Sequence, residues 1–129
     1  MISVDISHSR SSTIIVVDDD NGIRETLRIA LEVEGYTVIT ASNGREGIDL
    51  LRSIPTPCLI LLDLMMPVMN GWEFADQIKR DNALSTIPIV IITAYGKQAA
   101  PIKAAGVIAK PIDLEVLYEV VRNTCGSPT

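Results

Sequence analysis

The sequence predicts an α/β domain: one doubly wound sheet of five parallel strands in the order 2-1-3-4-5. Three observations predict it. Four short runs are apolar almost throughout: Thr13 to Val17, Cys58 to Leu62, Ile87 to Ile92 and Val107 to Ala109. Strands without polar alternation belong to a parallel sheet covered on both faces. Each run stops at a polar residue, at Asp18 and Asp19, Asp63, Thr93 and Lys110 in turn. Between the runs lie helical patterns with short connections, the signature of alternating β and α units.

The elements follow in order. The first helix is expected over Asn21 to Glu34, where Ile23, Leu27, Ala30 and Leu31 share a face and Gly35 supplies the stop. Tyr36 to Thr40 reads as the second strand. Arg45 to Ser53 reads as a short helix closed by Pro55 and Pro57. After Asp63, the stretch Leu64 to Gly71 is a loop, marked by Pro67 and the Asn70-Gly71 pair. Trp72 to Asp81 is the third helix, with Phe74 and Ile78 spaced for burial. Only Lys97 to Ala105 is available for a fourth. Pro101 inside it restricts that helix to two turns or less, starting near Ala100. The last helix spans Asp113 to Thr124, with Asp113 as cap and Glu115 in its first turn. Right-handed crossovers leave few arrangements for such a chain, and the flavodoxin-like order sets strands 1 and 3 side by side at the switch point.

Composition narrows the function. The 129 residues are 47% apolar and 21% charged, ordinary for one globular domain, with a net charge of -5. An acidic surface opposes direct binding to nucleic acid or to anionic membranes. No apolar run is long enough to span a bilayer. Residues 1–12 lack the pattern of a signal peptide and are expected to be a flexible tail, with the domain over 13–125 and a second short tail over 126–129. Cytoplasmic location follows as the expectation. The single histidine, His8, lies in the first tail, so a Ser-His-Asp or histidine-metal enzyme is not expected. Cys58 and Cys125 show no metal spacing, and both are expected to be reduced thiols.

The strand-end residues suit phosphoryl chemistry. Ligands of an open parallel sheet bind beyond the carboxyl ends of its strands. Three carboxylates, a hydroxyl and an ammonium should therefore gather at one edge. Mg²⁺ takes oxygen ligands and is usually held by one or two carboxylates together with phosphate oxygens, so Asp18, Asp19 and Asp63 are candidate ligands. Asp63 can act as a nucleophile and form an acyl phosphate. Lys110 and the Thr93 hydroxyl can stabilise charge on the phosphoryl oxygens.

These residues resemble the receiver domain of bacterial two-component response regulators, in its chemotaxis-regulator-like form. Val16-Val17-Asp18-Asp19-Asp20 looks like the family's acidic opening. Leu62-Asp63-Leu64-Met65-Met66-Pro67-Val68-Met69-Asn70-Gly71 looks like its phosphoacceptor segment, and Thr93-Ala94 and Lys110-Pro111 complete the pattern. The resemblance covers Thr13 to Thr124. It implies that Asp63 accepts a phosphoryl group from a sensor histidine kinase or a histidine phosphotransfer protein. It further implies that Asp18, Asp19, Asp63 and the Met65 backbone carbonyl hold Mg²⁺, that Thr93 and Lys110 bind the phosphoryl group, and that the Lys110-Pro111 bond is cis. A signalling switch of this kind, not an enzyme, would act on a downstream protein target or form a homodimer.

The sequence departs from the family pattern in three places. Val107 stands where an aromatic residue is usual, the Thr93 to Lys110 segment is short, and Tyr95 follows Thr93 by two positions. Val107 and the short segment also suit a receiver-like interaction module that does not switch. A small-molecule phosphatase of the haloacid-dehalogenase type would need a second aspartate two positions after Asp63, where Met65 stands. Trp72, Met65, Met66 and Met69 are expected to pack, and Gly44 and Gly47 to open a helix. On the last helix Leu114, Leu117, Tyr118 and Val121 form a stripe that Val116 and Val120 widen beyond one buried face.

Overall fold

Five strands form one parallel sheet in the order β2-β1-β3-β4-β5. They are β1 (Thr13–Val17), β2 (Thr37–Ala41), β3 (Leu59–Asp63), β4 (Ile89–Thr93) and β5 (Gly106–Ala109). The helices are α1 (Asn21–Val33), α2 (Gly44–Ser53), α3 (Gly71–Arg80) and α4 (Leu114–Cys125). The computed structural model describes residues 11–94 and 102–128. Its strand order is the flavodoxin-like one expected, among the few arrangements that right-handed crossovers leave.

The apolar strands carry two cores. Ile14, Val16, Leu59, Leu61, Val90 and Ile92 lie in one buried cluster with Leu27 and Leu31 of α1 and Leu117 and Val121 of α4. Ile15, Val17, Ile60, Leu62, Ile89 and Ile91 lie in the other with Ile48 and Leu51 of α2 and Phe74 and Ile78 of α3. Successive side chains of a strand point to opposite faces, so a sheet with helices on both sides must be apolar at every position. Each fully buried Leu or Ile contributes roughly 1.5–3 kcal/mol relative to exposure, which makes this layering the main source of stability.

Helix ends follow local chemistry. Asp20, Asn43, Asn70 and Asp113 cap the four helices, each side chain accepting a backbone N–H of the first turn. Asn70 and Glu73 complete a reciprocal capping box. Gly35 ends α1 with φ +104°, a conformation that a Cβ would strain.

The strands β3 and β4 end on Asp63 and Thr93, as expected, and these are the last ladder residues, paired with Ile92 and Ala109. One expectation needs correction: the cysteines are not two thiols. Cys58 and Cys125 form a disulfide, with Cα atoms 5.4 Å apart across a sequence separation of 67. The end of α4 returns over the start of β3, a contact that no local pattern announces. The fourth helix expected between β4 and β5 falls mostly on residues 95–101, outside the described residues; 102–105 are irregular, with no helix there. Residues 1–10 also lie outside them. At the other end Gly126 accepts a hydrogen bond from the Tyr36 hydroxyl at 2.7 Å. Pro128 lies against Gly35, where an added Cβ would come within 3.0 Å of it.

Candidate functional site

The carboxyl ends of β1, β3, β4 and β5 bring the expected residues together. Asp18 follows β1 and is 2% exposed, and Asp63 ends β3 and is 5% exposed. Asp19 is exposed beside them. One carboxylate oxygen from each of Asp18, Asp19 and Asp63 lies within 4.8 Å of the others. Lys110, one residue past β5, places its ammonium 3.3 Å from Asp63 Oδ1 and 3.4 Å from Asp18 Oδ2. The backbone N–H of Lys110 donates to the Thr93 carbonyl at 3.0 Å, which ties the ends of β4 and β5. Thr93 itself is buried at this edge. The Lys110-Pro111 bond is cis.

The three consecutive aspartates divide their work. Asp18 accepts the Asp20 N–H at 2.9 Å and meets Lys110. Asp20 turns away to cap α1 through Ile23 N. Arg24, one turn into α1, donates to the Asp18 carbonyl at 2.8 Å. Sequence reading passed over Arg24; its only signal was a position six residues after Asp18, on the helix that Asp20 starts.

The loop from β3 to α3 is held at several points. The Gly71 N–H returns to Leu64 O at 2.9 Å, and Gly44 N–H at the start of α2 donates to Met69 O at 3.1 Å. A Cβ on Gly71 would stand 2.6 Å from the Asp63 carbonyl oxygen, so only glycine lets the chain close this tightly behind Asp63. Met69 is buried and Met66 packs against the core, as expected. Met65 does not pack: it is 54% exposed, because the loop turns outward directly after Leu64. Trp72 packs against the core from the first turn of α3. Val68 is the outlier. Its φ is +67°, and the Met69 N–H bonds back across it to Pro67 O at 2.7 Å. A two-residue return with positive φ at its centre is the strained form of γ-turn, and it is unusual for a β-branched residue.

The electrostatics favour a cation. Burial pushes the Asp63 carboxyl up to about 6, with the Asp18 charge adding to the effect and Lys110 opposing it. Burial raises Asp18 as well, against the Asp20 N–H and Lys110. Burial alone would lower Lys110, but Asp18 and Asp63 outweigh it and the ammonium is held above its usual range. Both partners of the Lys110–Asp63 pair thus shift upward, because one ammonium does not offset two buried carboxylates and a third at the rim. A hard divalent cation bound through oxygen would relieve that excess. The donor set fits Mg²⁺: all three candidates are carboxylates, with neither sulfur nor imidazole among them.

Comparison with known proteins agrees with this geometry. The sequence model for the response regulator receiver domain matches residues 14–122. A probable transcriptional regulator, ycf27, of Porphyra purpurea is 33% identical over 120 residues, covering 89% of this chain and 48% of that protein. The chain spans about half the length of the curated relatives it matches in this way. Among solved structures, the response regulator protein TrrA of Thermotoga maritima, in complex with Mg²⁺ and BeF, is 32% identical with a TM-score of 0.78. The match covers 87% of this chain and 97% of that one. The Vibrio cholerae chemotaxis protein CheY4 is 27% identical with a TM-score of 0.80, covering 88% and 98%.

Proposed function

Since the chain belongs to the response regulator receiver domain family, we propose that it is a phosphorylation-dependent switch whose phosphoacceptor is Asp63. The observation that carries this reading is the Lys110 ammonium set 3.3 Å from Asp63 and 3.4 Å from Asp18, within a trio of carboxylates.

A carboxylate oxygen of Asp63 attacks the phosphorus of a phosphohistidine on a sensor kinase or histidine phosphotransfer protein. A P–O bond forms as the P–N bond breaks, and the imidazole leaves and takes up a proton. With its carboxyl near 6, Asp63 is mostly ionised at neutral pH and so is ready to attack. Lys110 follows the charge that passes to the phosphoryl oxygens. Thr93, at the end of β4, offers a hydroxyl to the same group. Asp18, Asp19, Asp63 and the Met65 carbonyl would hold Mg²⁺, which neutralises charge on the transferring phosphoryl group.

The signal leaves through protein contact. Val107 on β5 and Leu114 and Val116 on α4 are large apolar residues with 50%, 39% and 46% of their surface exposed. Exposed apolar residues on these two elements suit contact with a downstream protein or a second copy of the chain. The net charge of -5 opposes direct contact with nucleic acid. No described helix is long and apolar enough to cross a membrane, which accords with a cytoplasmic site of action. Exposed Val107, in place of an aromatic side chain, favours a second reading, an interaction module that does not switch.

Incubation with acetyl phosphate, followed by intact mass, tests the proposal. A single phosphoryl adduct that needs Mg²⁺ and disappears in Asp63→Ala is the expected result. Equal labelling of Asp63→Ala would overturn the assignment. Labelling without any change in hydrogen exchange around Thr93 and Lys110 would favour the second reading.

A further inference from the structure

Cys58 immediately precedes β3, and its N–H donates to Thr13 O at 2.9 Å. Cys125 is the last residue of α4, and the two are disulfide-bonded. We propose that this pair is a reversible redox clamp, which fixes the end of α4 to the base of the sheet when oxidised and frees it when reduced. The inference goes beyond phosphorylation. Cys58 lies at the opposite end of β3 from Asp63, so the clamp has no contact with the carboxylate cluster.

Several features favour a switch over a permanent staple. The sheet has a full apolar core on each face, and a domain of this length does not need a covalent staple to fold. The reduced state is also provided for. The Thr13 carbonyl oxygen lies 3.4 Å from Cys58 Sγ, within reach of a thiol S–H, and the rest of that side chain sits in the apolar cluster of α1 and α4. Disulfides in cytoplasmic proteins are usually transient and redox-sensing, which bears on this pair through the cytoplasmic location proposed above.

Exposure sets the order of reaction. Cys58 is 4% exposed, whereas Cys125 is only half-buried. The Cys125 thiolate therefore attacks a low-molecular-weight disulfide first, and one thiolate leaves. The Cys58 thiolate then attacks the Cys125 sulfur of the mixed disulfide, and the second thiolate leaves. In total two protein thiols and one small disulfide give one protein disulfide and two small thiols. Reduction is the reverse.

The mechanical consequence is local. Beyond Cys125 the chain is held by the Tyr36 hydroxyl on Gly126 O and by Pro128 against Gly35. With the bond closed, these contacts are part of a three-point attachment. With the bond open, these contacts and the helix's own hydrogen bonds, such as Gly126 N–H to Arg122 O, resist fraying of the helix end, which is where local opening is least costly.

The test uses the full chain, equilibrated at a series of ratios of reduced to oxidised glutathione, alkylated and weighed intact. The bridged fraction is expected to move from nearly all to nearly none across the series in wild type. Cys125→Ser should never form the bridge. Hydrogen exchange over residues 114–128 should be slower by about tenfold or more in the bridged form. Reduced wild type and Cys125→Ser should exchange alike. Cys58→Ala serves as the second variant if Cys125→Ser folds poorly. A bridge that never forms, one that survives excess reduced glutathione in the folded protein, or equal exchange in the two forms would each overturn the clamp.

Discussion

The ammonium of Lys110 lies 3.3 Å from Asp63 Oδ1, yet the Asp63 carboxyl sits near 6, well above its usual range. Burial and the neighbouring Asp18 outweigh the Lys110 ammonium. A carboxyl whose pKa is higher in the folded than in the unfolded state opposes folding once it is ionised. In metal-free protein this opposition is absent below about pH 4, where Asp63 is protonated in both states. It develops as pH rises from there to about 6 and is complete above that. The size is roughly 3 kcal/mol at neutral pH. Lys110 stays charged throughout this window, since its own pKa is raised.

Asp63→Asn is therefore expected to be more stable than wild type at pH 7 in the presence of a chelator, by roughly 1–3 kcal/mol. The advantage should shrink towards zero as pH falls to about 4. Urea denaturation across that range reads both quantities. A difference independent of pH, or a less stable Asn variant at pH 7, would show that burial of this carboxyl is not what raises it.

The phosphorylated protein should be long-lived. Hydrolysis of an acyl phosphate needs a water placed in line with the bond that breaks, and losing that placement slows the reaction. By resemblance to the family, the side chains two positions after Asp63 and two after Thr93 border this path. They are Met65, which is 54% exposed, and Tyr95, which lies outside the described residues. Neither carries a carboxamide or carboxylate to orient a water. After removal of the donor, phosphate loss in Mg²⁺ should take minutes or longer. It should quicken in the double variant Met65→Asn with Tyr95→Glu. Loss within seconds from wild type would refute the shielding role.

Val68 holds a φ of +67° with 78% of its surface exposed. A sparsely populated positive-φ conformation costs a non-glycine residue on the order of 1–3 kcal/mol, and the side chain gains little burial in return. Val68→Gly is expected to raise stability by about 0.5–1 kcal/mol, part of the relief being lost to the greater backbone entropy of glycine in the unfolded chain. Thermal melting measures it, and acetyl phosphate labelling should proceed as before. A destabilised variant would mean that the turn is not strained.

Much of the molecule was legible because its signals are local. Apolar runs of strand length, Gly35 after α1 and Asp113 before α4 each act within a few residues, and their roles follow from backbone conformation and capping. The strand-end residues Asp18, Asp63, Thr93 and Lys110 were legible for a related reason. In a sheet whose order is restricted by handed crossovers, a polar residue at a strand end has only one edge to occupy. Other features were not. Nothing local distinguishes Asp18, which meets Lys110 across 92 positions, from Asp20, which caps a helix three residues on. Met65 and Met69 have the same side chain, yet one is exposed and the other buried, because the loop closes through Gly71 onto Leu64 and through Met69 onto Gly44.

By itself, then, the sequence determined the five strands and the four described helices, their order in the sheet and the edge at which the chemistry gathers, since hydrophobic period, capping and crossover handedness need no distant partner. Only the tertiary structure decided how the charges divide at that edge and that Cys125 meets Cys58. These depend on how α4 and the β3–α3 loop settle against the sheet. That packing is fixed by volume and contact among residues far apart in the chain, where periodicity carries no information.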